Sequence, residues 1–189
     1  MGYYVHSIDS YFFLDKNLFD SVYKKMCDLN DYDDLKRGGS SQDGEPFEGK
    51  YNPNKWFSWM DYNYPETCSD LFAILRQVGF EWTLDDDGNM VHLAYPENKS
   101  GNEDYFLCCF AGFVKVGCFI QFEGEDGARW QYFFNSDEMV RFEGEVTTTW
   151  VNPEAYTFGQ MSESDKQVAI WAANFRKQME EKRAKSLES

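Results

Sequence analysis

Two histidines and five cysteines are the residues of this chain best suited to nucleophilic or metal chemistry. A thiolate beside an imidazole can attack a carbonyl carbon, and thiolates with neutral imidazoles hold zinc. His6 and His92 each fall inside a stretch that reads as strand. Neither has a cysteine or a second histidine at a metal-ligand spacing. Cys27, Cys68, Cys108, Cys109 and Cys118 form no Cys-x-x-Cys, and the residues around them match no known nucleophile signature. These spacings predict structural or surface histidines and reduced thiols packed in a core, with no metal and no cofactor. A Cys–His pair meets in space rather than in sequence, so an enzyme centred on a cysteine with His6 or His92 remains an alternative reading.

Carboxylates are far more numerous. The chain carries 33 acidic against 18 basic residues, a net charge of −15 over 189 residues. Asp85-Asp86-Asp87-Gly88-Asn89 is acidic enough to suggest calcium. An EF-hand, however, needs alternating ligands and a distal Glu on a following helix. Here the acids are consecutive and a strand follows, which reads as a hairpin turn. Gly124-Glu125-Asp126-Gly127 is no phosphate loop, because its carboxylates repel phosphate and no Lys-Ser/Thr follows. Paired carboxylates of the glycosidase kind carry no signal in so acidic a chain.

The charge opposes binding to nucleic acid or to an anionic membrane; it suits a basic protein partner, and it equally suits solubility alone. The basic stretch Lys182, Arg183, Lys185 is the one candidate nucleic-acid contact, and a solvated helix end is the reading preferred for it. No apolar run approaches the ~20 residues of a membrane helix. No basic-then-apolar leader precedes the first strand, so a cytoplasmic protein of a bacterial host is expected.

These residues need elements to position them. An aromatic fraction of 19% argues for a packed core. Residues 3–14 read as one or two short strands. Asp15 is placed to cap a helix over about 16–29, with Leu18, Phe19, Val22, Met26 and Leu29 at helical spacing. Residues 30–54 are rich in Gly and Pro and read as a long flexible loop. Residues 55–60 read as a short aromatic strand. Thr67 or Ser69 would cap a helix ending near Val78, with Gly79 after it.

A hairpin follows, with strands over about 80–84 and 90–95 around an Asp-Gly turn. Residues 103–113 read as a helix burying Phe106, Phe110 and Phe113. Three meander strands over about 117–123, 128–134 and 139–148 alternate Cys118/Ile120/Phe122 and Trp130/Tyr132/Phe134 toward one face. Asn152-Pro153 ends the sheet. A final helix, capped by Ser162 or Ser164, carries Val168, Trp171, Ala172, Phe175 and Met179 as a single stripe. That stripe fits docking on its own domain or on a second copy, as in a homodimer. The expected fold is α+β: an antiparallel sheet with packed helices, 1–150 as one domain and 151–189 as a C-terminal helical extension.

Residues 80–150 resemble a family of small proteins of phages, plasmids and integrative elements. The shared run is Val114-Lys115-Val116-Gly117-Cys118-Phe119-Ile120-Gln121-Phe122-Glu123-Gly124-Glu125-Asp126-Gly127-Ala128-Arg129-Trp130, with a late Trp150. The chain departs from that family at Glu97-Asn98-Lys99-Ser100, where a Gly-Glu-Lys-type loop is usual, and at Tyr132. With its size and acidity, the chain also resembles anti-CRISPR proteins of the Cas9-inhibiting kind. That resemblance implies an anti-defence inhibitor whose partner is a CRISPR effector nuclease or its guide-RNA complex. The expected partner-binding carboxylates are Asp85, Asp86, Asp87, Glu123, Glu125, Asp126, Asp137 and Glu138. They would occupy a basic groove that otherwise holds nucleic acid. An immunity protein neutralising a basic nuclease toxin would use the same physics.

Overall fold

The computed structural model describes residues 2–39 and 48–145. The expected strand beyond residue 145, the 150/151 boundary and the C-terminal helix with its basic end lie outside them. The fold is mixed α+β around a five-stranded sheet in the order β6 (Asn98–Lys99), β1 (Tyr4–Tyr11), β7 (Phe119–Gly124), β8 (Arg129–Phe134), β9 (Met139–Gly144), every neighbouring pair antiparallel.

β1 (Tyr4–Tyr11) is the central organiser of that sheet. One edge pairs with β7 (Phe119–Gly124) from Val5↔Gly124 to Tyr11↔Phe119. A bulge at Ile8 lets both Ser7 and Asp9 keep partners, Phe122 and Gln121. The other edge pairs at its start with the two-residue β6 (Asn98–Lys99). Farther along, it meets β5 (Met90–Ala94), the second strand of a hairpin with β4 (Glu81–Leu84). Ser7 N donates to Tyr95 O at 2.7 Å, and Leu14 and Met90 exchange both backbone bonds. Residues 3–14 thus form one strand and a separate bridge.

The meander follows the alternation in its sequence. β7, β8 (Arg129–Phe134) and β9 (Met139–Gly144) are joined by the 124–127 and 135–138 turns. Ile120, Phe122, Trp130, Tyr132 and Phe134 all point to the core. The opposite face leaves Tyr11 49% and Phe142 53% exposed.

The helices pack on the buried face. Asp15 accepts from Asn17 N at 2.8 Å and opens a short 3-10 turn, Lys16–Leu18. The α-helix proper, α1 (Phe19–Leu29), then buries Val22 and Met26. A four-residue helix, α2 (Tyr64–Thr67), buries Tyr64, whose hydroxyl donates to Met26 O. The cap of α3 (Leu71–Val78) is Asp70, accepting from Ala73 N at 2.8 Å. The sequence predicts Thr67 or Ser69 there. Asp70 takes the position because its backbone is the last extended one before the first turn and its carboxylate reaches Ala73 N, while Ser69 donates to that carboxylate instead. Gly79 ends α3 at φ 106°, a conformation open to glycine. α4 (Glu103–Cys108) is shorter than expected and gives way to turns through Gly112, where φ is +87°. Phe106 and Phe110 are nevertheless buried, as the spacing indicates, whereas Phe113 is only partly buried against the same core.

Two other expectations change. The 55–60 strand stops at Trp56, because Phe57–Met60 closes a turn in which Trp59 adopts φ 69°. That strand, β3 (Lys55–Trp56), pairs with β2 (Gly38–Gly39) inside the stretch read as loop. The same stretch buries Lys36, whose ammonium meets Asp33 Oδ1 at 2.7 Å. Aromatic side chains dominate the core, with Phe12 edge-on to Phe110 and Phe134, and Phe57 and Tyr64 edge-on to Phe106. Among the described residues, no helix is long and apolar enough to cross a membrane.

Candidate functional site

The eight expected carboxylates do not form one patch. The β1–β7 and β7–β8 registers put the 124–127 turn at the end of the sheet where Val5 lies. Leu14↔Met90 and Phe134↔Met139 put the 85–89 and 135–138 turns toward the opposite end. Glu123, Glu125 and Asp126 therefore stand apart from Asp85, Asp86, Asp87, Asp137 and Glu138.

The Val5 end is concave. A groove of about 510 Å³ is lined by Tyr4, His6, Glu97, Glu123 and Glu125, with Ser7, Pro96 and two glycines completing its wall. β1 supplies His6, and the chain leaving β5 supplies Glu97. The end of β7 and its turn supply Glu123 and Glu125. Glu125 N donates to Tyr4 O at 3.0 Å, fastening the turn to β1. Gly127 sits at φ 79° and donates to Gly124 O at 2.8 Å, which sets the tightness of that turn.

The groove's charges have distinct roles. Glu123 accepts from Arg129 Nε, so its charge is partly balanced. Asp126 accepts from the Tyr3 hydroxyl and from Ala128 N. The hydrogen bond to Asp126 pushes the Tyr3 hydroxyl up to about 12, and the same bond, followed by that from Ala128, holds the Asp126 carboxyl below its ordinary range. Asp126 thus builds the turn. Glu125 is exposed at its tip, and Glu97 is exposed on the facing wall. These two leave the groove net negative.

At the far end, Asp85 is also structural. Its carboxylate accepts from Asn89 Nδ2, Asn89 N and Asp87 N at 3.0, 2.8 and 3.0 Å. These bonds, led by that of the Asn89 side chain, lower its pKa. Lys16 Nζ donates to Asp87 O at 2.7 Å, and Gly88 takes φ 85°. Asp137 accepts from Ser136 Oγ at 2.8 Å. Asp86, Asp87 and Glu138 are exposed.

Neither histidine hydrogen-bonds to a cysteine among the described residues. His92 Nδ1 lies 2.8 Å from Ser10 Oγ, on the seam between β5 and β1. Burial raises the thiols of Cys27, Cys68 and Cys118, and pushes Cys109 up to about 12. Such thiols are poor nucleophiles at neutral pH. Among the described residues, no group of three or more His, Cys, Asp or Glu side chains is arranged to hold a metal ion.

Glu97 and His6 are the groove residues that sequence reasoning did not place there. Glu97 follows a proline in a stretch read as loop, and His6 faces it only because β1 pairs with a strand more than a hundred residues later. No local signal marks that juxtaposition.

No protein family matches the chain, and no curated protein or solved structure is significantly similar to it.

Proposed function

We propose that this chain is a protein-binding inhibitor that presents an acidic groove to a basic surface on its partner. The observation carrying this reading is the groove between Glu97 and the 124–127 turn. Glu125 is displayed by a hydrogen-bonded turn and Glu97 by the short link between β5 and β6, which keeps the ordering cost of binding small. Opposite charge on a partner speeds encounter and makes association sensitive to salt.

The partner class that fits is a nuclease whose cationic groove ordinarily holds a phosphate backbone. The resemblance to anti-CRISPR proteins makes a guide-loaded Cas9-like effector the first to test. In a guided DNA-cleavage assay, the full chain is expected to slow cleavage, more so at low salt. The Glu97→Lys/Glu125→Lys double variant is expected to lose that inhibition. Unimpaired cleavage at saturating wild-type chain sinks the effector reading. The same assay with a basic nuclease toxin then tests the immunity reading, which uses the same groove.

A further inference from the structure

Tyr4 also lines a second groove of the opposite character. It has a volume of about 460 Å³, and its walls include Tyr4, Trp59, Arg76, Tyr95, Asn98 and Lys99. That volume falls within the roughly 300–1,000 Å³ of small-molecule pockets. In a chain of net charge −15, its lining holds two cations and no carboxylate. Gln77, also in the wall, ties back the neighbouring Asp61 carboxylate with a 3.0 Å bond from its Nε2.

The two cations are held without being neutralised. The Arg76 guanidinium lies 5.6 Å from the Trp82 ring centre, and the Lys99 ammonium 5.8 Å from that of Tyr4. Aromatic faces attract a cation but leave its charge available. Among the described residues, neither cation forms an ion pair.

Trp59 is the second observation. It is the one non-glycine residue with positive φ among the described residues, at 69°. A bulky side chain rarely adopts that conformation, and such outliers concentrate at ligand sites. Core packing does not account for it, because Trp59 is 55% exposed. Its ring is nonetheless fixed. Nε1 donates to Lys99 O at 3.2 Å, and a Cβ at Gly101 would fall 2.7 Å from that nitrogen. The backbone therefore holds an open indole face beside two cations.

We propose that this groove binds a nucleotide unit, with the base stacked on Trp59 and the phosphate held by Arg76 and Lys99. Stacking on a tryptophan face accepts any base, and a guanidinium with an ammonium suits a phosphate. Asn98 donates from Nδ2 to Gly79 O at 3.3 Å, which leaves its side-chain oxygen as an acceptor for a base amino group. The unit is either a free nucleotide or one residue of a single strand.

Calorimetric titration of the full chain tests this with four probes: AMP, adenosine, inorganic phosphate and a short single-stranded oligo-dA. AMP is expected to bind at least about tenfold more tightly than adenosine or phosphate, because it satisfies ring and cations together. Arg76→Ala and Lys99→Ala should each weaken AMP about tenfold. Trp59→Gly should weaken it about tenfold or more while leaving the melting temperature unchanged or higher, since glycine accepts the positive φ. Lys24→Ala, on the exposed side of α1, should change nothing. Tighter oligo-dA than AMP places the unit in a strand, and tighter AMP makes it a free nucleotide; either supports the proposal. No AMP binding at millimolar concentration overturns it. So does phosphate binding as tightly as AMP, or AMP affinity unchanged in all three groove variants. Glu97→Lys/Glu125→Lys should still bind AMP, so loss of this site and loss of the acidic groove read out separately.

Discussion

Two grooves share Tyr4 and carry opposite charge. The first gathers His6, Glu97, Glu123 and Glu125, and the second Trp59, Arg76 and Lys99. The segment 95–99, the link out of β5 and the two residues of β6, contributes to both. Tyr95, Asn98 and Lys99 face the cationic groove, and Pro96 and Glu97 the acidic one. A net charge of −15 describes neither groove by itself. What distinguishes them is which carboxylates are turned away. Asp61 is held by Gln77 beside the cationic groove, whereas Glu97 and Glu125 are left exposed at the acidic one. A protein's sign toward a partner is thus set locally, within a screening length of ~8 Å at physiological salt.

The largest effect is expected from removing the buried side chain that anchors the 95–99 segment running between the grooves. Tyr95 is buried, its backbone N–H bonds to Ser7 Oγ at 2.8 Å, and its hydroxyl donates to Lys99 O at 3.2 Å. Tyr95→Ala should cost about 3–5 kcal/mol in urea unfolding, the range for a large aromatic lost from a core. It should degrade both binding activities together. If only one is lost, the grooves are independent of the segment between them.

Charge reversal should separate the grooves. Glu97→Lys/Glu125→Lys is expected to reduce the partner association rate by about tenfold or more at low salt, with AMP affinity no weaker. Surface plasmon resonance and calorimetry on the same protein read the two effects side by side.

The carboxylates that build turns should behave differently from those that face a partner. Asp85 has a depressed folded pKa, so its stabilisation is present above the ordinary carboxylate range and is lost as pH falls through the folded value. Asp85→Ala should therefore melt lower than wild type at neutral pH, with the gap narrowing in acid. Partner binding should be unchanged.

The smallest effect, of opposite sign, is expected at Asp104. Burial, followed by the neighbouring Glu103 charge, raises its pKa. Its favourable contribution is present below its unfolded value of about 3.9 and is lost as pH rises through the raised folded value. Asp104→Asn should thus melt slightly higher than wild type at pH 7, and the gain should vanish in acid. Thermal scans across pH check both carboxylates.

Much of this scaffold was legible because its signals are local. Alternation in Ile120/Phe122 and Trp130/Tyr132/Phe134, the Asp-Gly hairpin and the Val22/Met26 stripe each lie within one element, and each is buried or paired as its period indicates. Shorter competitions misled. Asp70 displaced Ser69 as a cap, and the left-handed turn at Trp59 cut short an aromatic run that otherwise reads as strand. The grooves were the least legible. Glu97 and Glu125 are brought together by β1 pairing with β7 and meeting β5, and nothing near either residue encodes that pairing. Asp85 and Asp126 looked like free charge because composition cannot show which amides a carboxylate accepts from.

The most direct test of the acidic groove is a quantitative pull-down from bacterial lysate, comparing wild-type chain with Glu97→Lys/Glu125→Lys at low and at physiological salt. The account predicts that wild type retains a basic nuclease at low salt, that salt weakens the capture, and that the double variant loses that nuclease while keeping its fold. Retention of the same proteins by both chains, at both salt concentrations, would contradict it.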